Sequence, residues 1–227
     1  MGGYLTAQIA ARLLQNNEGG KGVLIGGVPG VPPAEVVVIG AGVAGSYAAR
    51  AFLGMGAHVT ILDKDIHALQ AVYDRAPGVV TMISNSFNLS RVCSFADVVV
   101  GAVLVPGEKP PMIITREMVR QMKPRSVLMD ISIDEGGCVE TSRPTTHEDP
   151  TFIEEGVIHY CVPNMSSIVA RTATHAYLNA AYPFIQEIVN QGVESAIASN
   201  PAIERGVGTY RGKVRHISTL SRIADGE

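Results

Sequence analysis

Val36-Val37-Val38-Ile39-Gly40-Ala41-Gly42-Val43-Ala44-Gly45 decides the reading of this chain. Four apolar residues suited to a buried strand run straight into G-x-G-x-x-G, and Ser46-Tyr47-Ala48-Ala49-Arg50-Ala51 continues as a helix. Each glycine has its own task in such a turn. Gly40 permits the tight bend, Gly42 lets a pyrophosphate approach the backbone, and Gly45 allows close packing of helix on strand. The helix then offers free N–H groups and its positive dipole end to the phosphates. A second strand, His58-Val59-Thr60-Ile61-Leu62, ends in Asp63, 18 residues beyond Gly45. A carboxylate there accepts hydrogen bonds from ribose hydroxyls and repels a 2′-phosphate, so the expected cofactor is NAD and not NADP. A glycine-rich turn alone would match the motif; the strand, the helix and the acid together favour the dinucleotide.

Outward from this unit the pattern alternates. Apolar runs suited to buried strands occur at 36–39, 58–62, 80–83, 98–104, 126–133 and 157–162. Helix-compatible stretches lie between most of them, at 44–56, 66–76, 88–95 and 115–122. Six strands with interleaved helices predict an α/β fold, a doubly wound parallel sheet of the Rossmann type in the order 3-2-1-4-5-6. The link 134–156 is rich in Gly, Thr, Pro and acids and is expected to be mostly irregular. Two long helices flank the sheet. The first covers 4–15, with Leu5, Ile9 and Leu13 on one face. The second covers about 172–190, with Ala176, Tyr177, Ala180, Ala181, Phe184 and Ile188 at helical spacing and a kink expected at Pro183. The expected division is a linker helix over 1–18, the dinucleotide-binding domain over 19–168, and a C-terminal helix and tail over 169–227.

Composition narrows the class. The 227 residues are 46% hydrophobic and 17% charged, with 24 glycines, which suits a buried parallel sheet with close backbone approaches. A formal net charge of −3 gives no electrostatic reason to expect nucleic acid or an anionic membrane as partner. Cys93, Cys138 and Cys161 are far apart without metal spacing, so no metal site is expected and the thiols read as reduced, in a cytoplasmic protein. The first fifteen residues have no basic segment before an apolar core, so no signal peptide is expected, and the glycine-broken stretch 36–62 is no membrane span.

Further segments carry a resemblance. They are Gly19-Gly20-Lys21-Gly22-Val23-Leu24, the turn Gly26-Gly27-Val28-Pro29-Gly30-Val31, and Gly101-Ala102-Val103-Leu104-Val105-Pro106-Gly107. Met122-Lys123-Pro124, Asp134-Glu135-Gly136-Gly137, Arg143-Pro144-Thr145-Thr146-His147 and His159-Tyr160-Cys161-Val162-Pro163-Asn164-Met165 complete the set. With them the chain resembles, over essentially its whole length, alanine dehydrogenases and the related NAD-binding subunit of proton-translocating transhydrogenase. The 101–107 and 134–137 segments favour the dehydrogenase side.

The resemblance implies that Gly40, Gly42, Val43, Ala44, Gly45, Asp63 and Lys64 hold the dinucleotide. It implies Ser84, Val103, Leu104 and Ile131 along the adenine and nicotinamide-ribose path. Asp134 would stand at the nicotinamide, positioning water or substrate, with Asn164 and Met165 lining the same place. Read from the residues alone, Asp134 is a solvated loop acid or a helix cap.

There are departures. In the family, the basic groups for the substrate carboxylate and an acid/base histidine lie in an N-terminal domain, and Met1 falls at the helix that follows it. Those groups are expected to have no counterpart here, and the C-terminus is expected to be complete. His175 in the second long helix is the candidate replacement, His159 reads as a satisfied core histidine, and His147 serves its loop. His58, His67 and His216 read as structural or exposed. Pro163 before Asn164, and Ser166-Ser167-Ile168, depart from the family at the nicotinamide end.

The functional expectation is therefore an NAD-dependent amino-acid dehydrogenase whose substrate half is missing or is a separate polypeptide. A non-catalytic NAD-binding module, and a different NAD-dependent reaction on a small amino or imino acid, stay open beside it. Two long helices with more apolar face than one core covers predict a homodimer or higher assembly.

Overall fold

The computed structural model describes residues 1–105 and 108–216, so Pro106 and Gly107 of the 101–107 segment, and the tail from 217, lie outside the described residues. The chain divides into two compact units, Met1–Leu104 with Lys109–Ser166, and Val105–Glu108 with Ser167–Glu227.

The first unit opens with α1 (Gly2–Leu13), which packs against α2. Then come β1 (Glu35–Ile39), α2 (Val43–Gly54), β2 (His58–Asp63), α3 (Ile66–Arg75), β3 (Val80–Ile83), α4 (Ser86–Phe95) and β4 (Val98–Gly101). After them follow α5 (Arg116–Arg120), β5 (Val127–Asp130), β6 (Thr151–Glu154) and β7 (Val157–Tyr160). The sheet order is β3-β2-β1-β4-β5-β7-β6. All pairs are parallel except β6 with β7. Val36, Val37, Val38 and Ile39 are buried on both sides, as a central parallel strand requires.

The six expected strands pair in the expected order, and a seventh is added. The stretch 134–156, expected to be irregular, contains β6, which folds back on β7 through Glu155-Gly156. Both turn residues have positive φ, 50° and 77°, as a tight two-residue hairpin demands. Phe152 of β6 stacks on His159 at 4.9 Å, and the Arg143 guanidinium lies 4.0 Å from its ring centroid, which fixes the register of this edge strand. Three strands are shorter than expected: β4 ends at Gly101 instead of 104, β5 at Asp130 instead of 133, and β7 at Tyr160 instead of 162. The apolar runs continue beyond the ladder because they line the sheet's end.

At the opposite, N-terminal end of the sheet the buried Asp97 gathers three donors. Lys21 Nζ donates at 2.6 Å, Lys123 Nζ at 3.1 Å and the Glu35 N–H at 2.9 Å. Burial alone would raise this carboxyl, but the two ammonium groups and the amide hold it below the ordinary aspartate value. The Gly19–Leu24 and Met122–Pro124 segments thus meet on one acid.

The second unit contains α6 (Ala170–Gln191), α7 (Val193–Ser199), α8 (Pro201–Arg205) and a hairpin of β8 (Thr209–Tyr210) with β9 (Lys213–Val214). Where a kink is expected, α6 runs on through Pro183. Asn200 Nδ2 donates to Glu187 at 2.7 Å and ties α8 back to α6. Between these helices lies an apolar cavity of about 380 Å³ lined by Phe184, Ile188, Val193, Ile197 and Ile203.

Candidate functional site

The glycine turn takes its shape from what side chains would strike. Gly40 has φ 106°, and a Cβ there would overlap the Ala102 carbonyl at the end of β4. A Cβ on Gly45 would overlap the Gly40 carbonyl, so helix and strand approach as closely as the backbone allows. At Gly42 the space is open, with nothing within 4 Å of a Cβ. Gly42 is also the N-cap of α2 and no side chain caps that end. The first-turn amides therefore have no partner within the helix and face an open surface, with Val43 79% exposed. Free amides at a helix N-terminus suit an anion.

Asp63, at the end of β2, is tied to this turn. Its Oδ2 accepts the Ala41 N–H at 2.6 Å and its Oδ1 the Asp65 N–H at 2.9 Å. Each oxygen keeps a further lone pair for a hydroxyl. Its carbonyl accepts the Ser84 N–H at 2.8 Å, which places the half-buried Ser84 at the next strand end. Lys64 is exposed beside them.

The ends of β4 and β5 carry the second cluster. The Ile131 N–H donates to the Gly101 carbonyl at 3.0 Å, and the Val103 N–H donates to Ser132 Oγ at 2.9 Å. Val103 and Ile131 are half-buried and Leu104 is 65% exposed. Asp134 is exposed, and its Oδ1 accepts the Asn164 N–H at 2.9 Å. This bond joins residues thirty positions apart and holds Asn164 in the left-handed region, φ 52°, with the next residue, Met165, buried. Asp134, Asn164 and Met165 therefore share one place, while His175 lies exposed on α6 in the second unit.

Residues not singled out from sequence build the frame. Asp130, 1% exposed at the end of β5, accepts the N–H groups of Ser132 (3.1 Å), Cys138 (3.0 Å) and Val139 (3.3 Å). Burial pushes its carboxyl up, against the pull of hydrogen bonds from Ser142, Cys138 and Ser132. A Cβ on Gly137 would stand 2.8 Å from Asp130 Oδ2, and one on Gly136 would meet the Lys109 side chain at 3.0 Å. The Asp134–Gly137 segment thus wraps a buried acid and passes under a lysine stem. An acid inside the apolar run 126–133 was the signal for it.

His159 is fully buried between Thr141 Oγ1 (2.8 Å) and the Val157 carbonyl (3.0 Å), and burial lowers its ring below the ordinary histidine value. It is a core residue. Cys93, Cys138 and Cys161 are buried free thiols, the first two pushed up to about 12 and the third to about 11 by burial. Among the described residues no three His, Cys, Asp or Glu side chains are placed to hold a metal ion, and no helix is long and apolar enough to cross a membrane.

Residues 6–217 match the family model described as alanine dehydrogenase/PNT, C-terminal domain. The chain is 50% identical over 213 residues to an alanine dehydrogenase of Mycolicibacterium smegmatis, covering 93% of this chain and 57% of that protein. It is 47% identical over 216 residues to one of Methanococcus maripaludis, covering 94% and 58%. It therefore spans a little under three fifths of the length of these relatives. A solved L-alanine dehydrogenase superposes with TM-score 0.91 at 39% identity, covering 98% of this chain and 62% of that one. A transhydrogenase from Sinorhizobium meliloti, at TM-score 0.77 and 23% identity over 94% of this chain and 61% of that one, shares the fold.

Proposed function

We propose, from the premise that this chain belongs to the alanine dehydrogenase/PNT C-terminal domain family, that it is the NAD(H)-binding part of an amino-acid dehydrogenase. The observation that carries this reading is the uncapped N-terminus of α2, open at Gly42, with Asp63 hydrogen-bonded to the same turn. These residues fit a dinucleotide. When bound, a nicotinamide cofactor would supply hydride-transfer chemistry at the amino acid's Cα.

The chain's own groups then have distinct tasks. The first-turn amides of α2, around Val43, Ala44 and Gly45, receive the pyrophosphate. Asp63 accepts the adenosine ribose hydroxyls with its spare lone pairs, and its charge opposes a 2′-phosphate, which favours NAD over NADP. Lys64 and Ser84 border that ribose. Val103, Leu104, Ile131 and Met165 bound the path to the nicotinamide. Asp134, exposed and held by the Asn164 N–H, positions the water that releases ammonia from the oxidised amino acid, or takes its proton. Alanine or a similarly small amino acid is the proposed substrate, with a 2-oxo acid and ammonia as products.

Groups that bind the substrate carboxylate are proposed to come from a further part of the protein, in the same or a separate polypeptide. The exposed apolar residues Tyr177, Leu178, Tyr182, Ile185 and Val189 of α6 suit either that part or a second copy, in a homodimer or larger assembly. His175 is retained as an acid/base candidate only for a chain that turns over by itself.

Calorimetric titration with NAD⁺, NADH and NADPH, followed by alanine or by pyruvate with ammonia while NADH absorbance is read, tests this proposal. NADH is expected to bind more tightly than NADPH, and Asp63→Ala to weaken NADH about tenfold while narrowing that gap. Binding without turnover fits a cofactor domain that works with a substrate half, and equally a binding module. Turnover supports a complete active site. Binding of neither dinucleotide overturns the reading.

A further inference from the structure

The helix that begins the described chain touches the glycine turn's helix at a telling place. Gly3 is buried, and a Cβ on it would overlap the Ala44 carbonyl, stand 2.6 Å from the Ala48 amide nitrogen and 2.9 Å from Tyr47 Cβ. Its Cα therefore rests on the backbone of the first two turns of α2. Gly3 has no positive φ and lies inside a formed helix, where Met1 O already accepts the N–H groups of Tyr4 and Leu5. Helical conformation does not require glycine, and alanine would favour it. Close approach to α2 is what excludes a side chain.

A second contact braces the same place from outside. The Tyr4 ring lies 5.3 Å from that of Tyr47, tilted by 47°, and the Arg50 guanidinium sits 5.8 Å from the Tyr47 centroid. Both contacts bear on the turns whose first amides, open at Gly42 and without a side-chain cap, are the proposed phosphate donors. Donors of this kind lose their effect when displaced by fractions of an ångström to one ångström.

We propose that Gly3 and Tyr4 are positioning residues for the pyrophosphate: α1 sets the place of the α2 N-terminus and so tunes dinucleotide affinity without contributing a donor to the phosphate turn. This rests on the reading that the turn binds a dinucleotide. It goes beyond the glycine motif, because the determinant lies outside it and on another helix.

The test compares Gly3→Ala, Tyr4→Ala and Ala10→Gly with the unaltered chain. Ala10, buried two turns further along α1, is the control for loosening that helix away from the phosphate turn. Affinities for NADH, ADP-ribose and adenosine are measured by calorimetry or competition, together with the melting temperature. Gly3→Ala is expected to weaken NADH and ADP-ribose about tenfold and to leave adenosine nearly unchanged, since adenosine lacks the pyrophosphate. Tyr4→Ala is expected to show the same selectivity at about two- to threefold. Ala10→Gly is expected to lower the melting temperature and leave all three affinities unchanged.

Unchanged NADH affinity in Gly3→Ala overturns the proposal while the dinucleotide reading stands. So does equal weakening of adenosine and NADH, or equal weakening by Ala10→Gly. Failure of the unaltered chain to bind NADH removes both.

Discussion

The two ends of the sheet in the first unit both carry acids, and they treat them in opposite ways. At the N-terminal end Asp97 is buried and paired with Lys21, Lys123 and a backbone amide. At the C-terminal end Asp63, half-buried, and Asp134, exposed, each accept backbone N–H groups. A buried carboxylate whose charge is met by two ammonium groups is closed to a ligand, so it holds structure together. One oriented by backbone amides at an accessible strand end keeps spare lone pairs for a hydroxyl. Glycines follow the same division. Gly20 at the closed end tucks under the Leu13 carbonyl, whereas Gly42 at the open end faces empty space.

Breaking the open end at its tightest point gives the largest expected effect. Gly45→Val drives a branched side chain into the Gly40 carbonyl and should cost about 3 kcal/mol of stability. NADH binding should disappear with it. Chemical denaturation and calorimetry together check this; a variant that binds NADH normally would contradict the geometry of the turn.

Asp97→Asn breaks the closed end. It leaves two partly buried ammonium groups facing an amide and should cost about 2 kcal/mol, with NADH affinity unchanged. The pH dependence has a definite sign. Because the folded-state carboxyl lies below its ordinary value, its stabilisation is fully present above pH about 3.9 and is lost as pH falls through the folded value. Asp97→Asn should therefore flatten the acid limb of a stability–pH curve. A limb as steep as in the unaltered chain would assign it to other carboxylates.

Asp134→Asn sharpens the comparison with the smallest change. The amide oxygen still accepts the Asn164 N–H, so stability should move by no more than about 0.5 kcal/mol. NADH affinity should stay within about twofold on the same scale. In a preparation that turns over, the rate is where the loss should be read. A large loss of stability would mean that Asp134 belongs with Asp97, as a structural acid.

Much of this division was legible in the sequence. Strand β1, its glycine turn and α2 are contiguous, so periodicity and spacing alone describe them, and Asp63 follows at the next strand end. The alternation of apolar runs and helices gave the sheet order because chain connectivity in such sheets allows few alternatives. What stayed hidden depends on contacts between distant segments. Asp134 and Asn164 meet because β5 and β7 are neighbours, which no local pattern encodes. Lys21 and Lys123 were visible as parts of family segments, but their shared partner Asp97 was not. Strand β6 was missed because its four residues follow a polar, proline-containing link, and only Glu155-Gly156 announced a hairpin.

The strand order also bears on how this unit assembles. Strands β1, β2 and β3 are joined by short helical crossovers, so each pairs with a neighbour close in the chain. Strand β4 must return past all of them to pair with β1, aligning Val98 with Val36. That closure carries the larger entropy of a long loop, and contacts of this range slow folding. Asp97 immediately precedes its first residue, Val98, and is bonded to the Glu35 amide at the start of β1. The acid that seals the finished sheet is therefore also placed to latch its two halves as they meet.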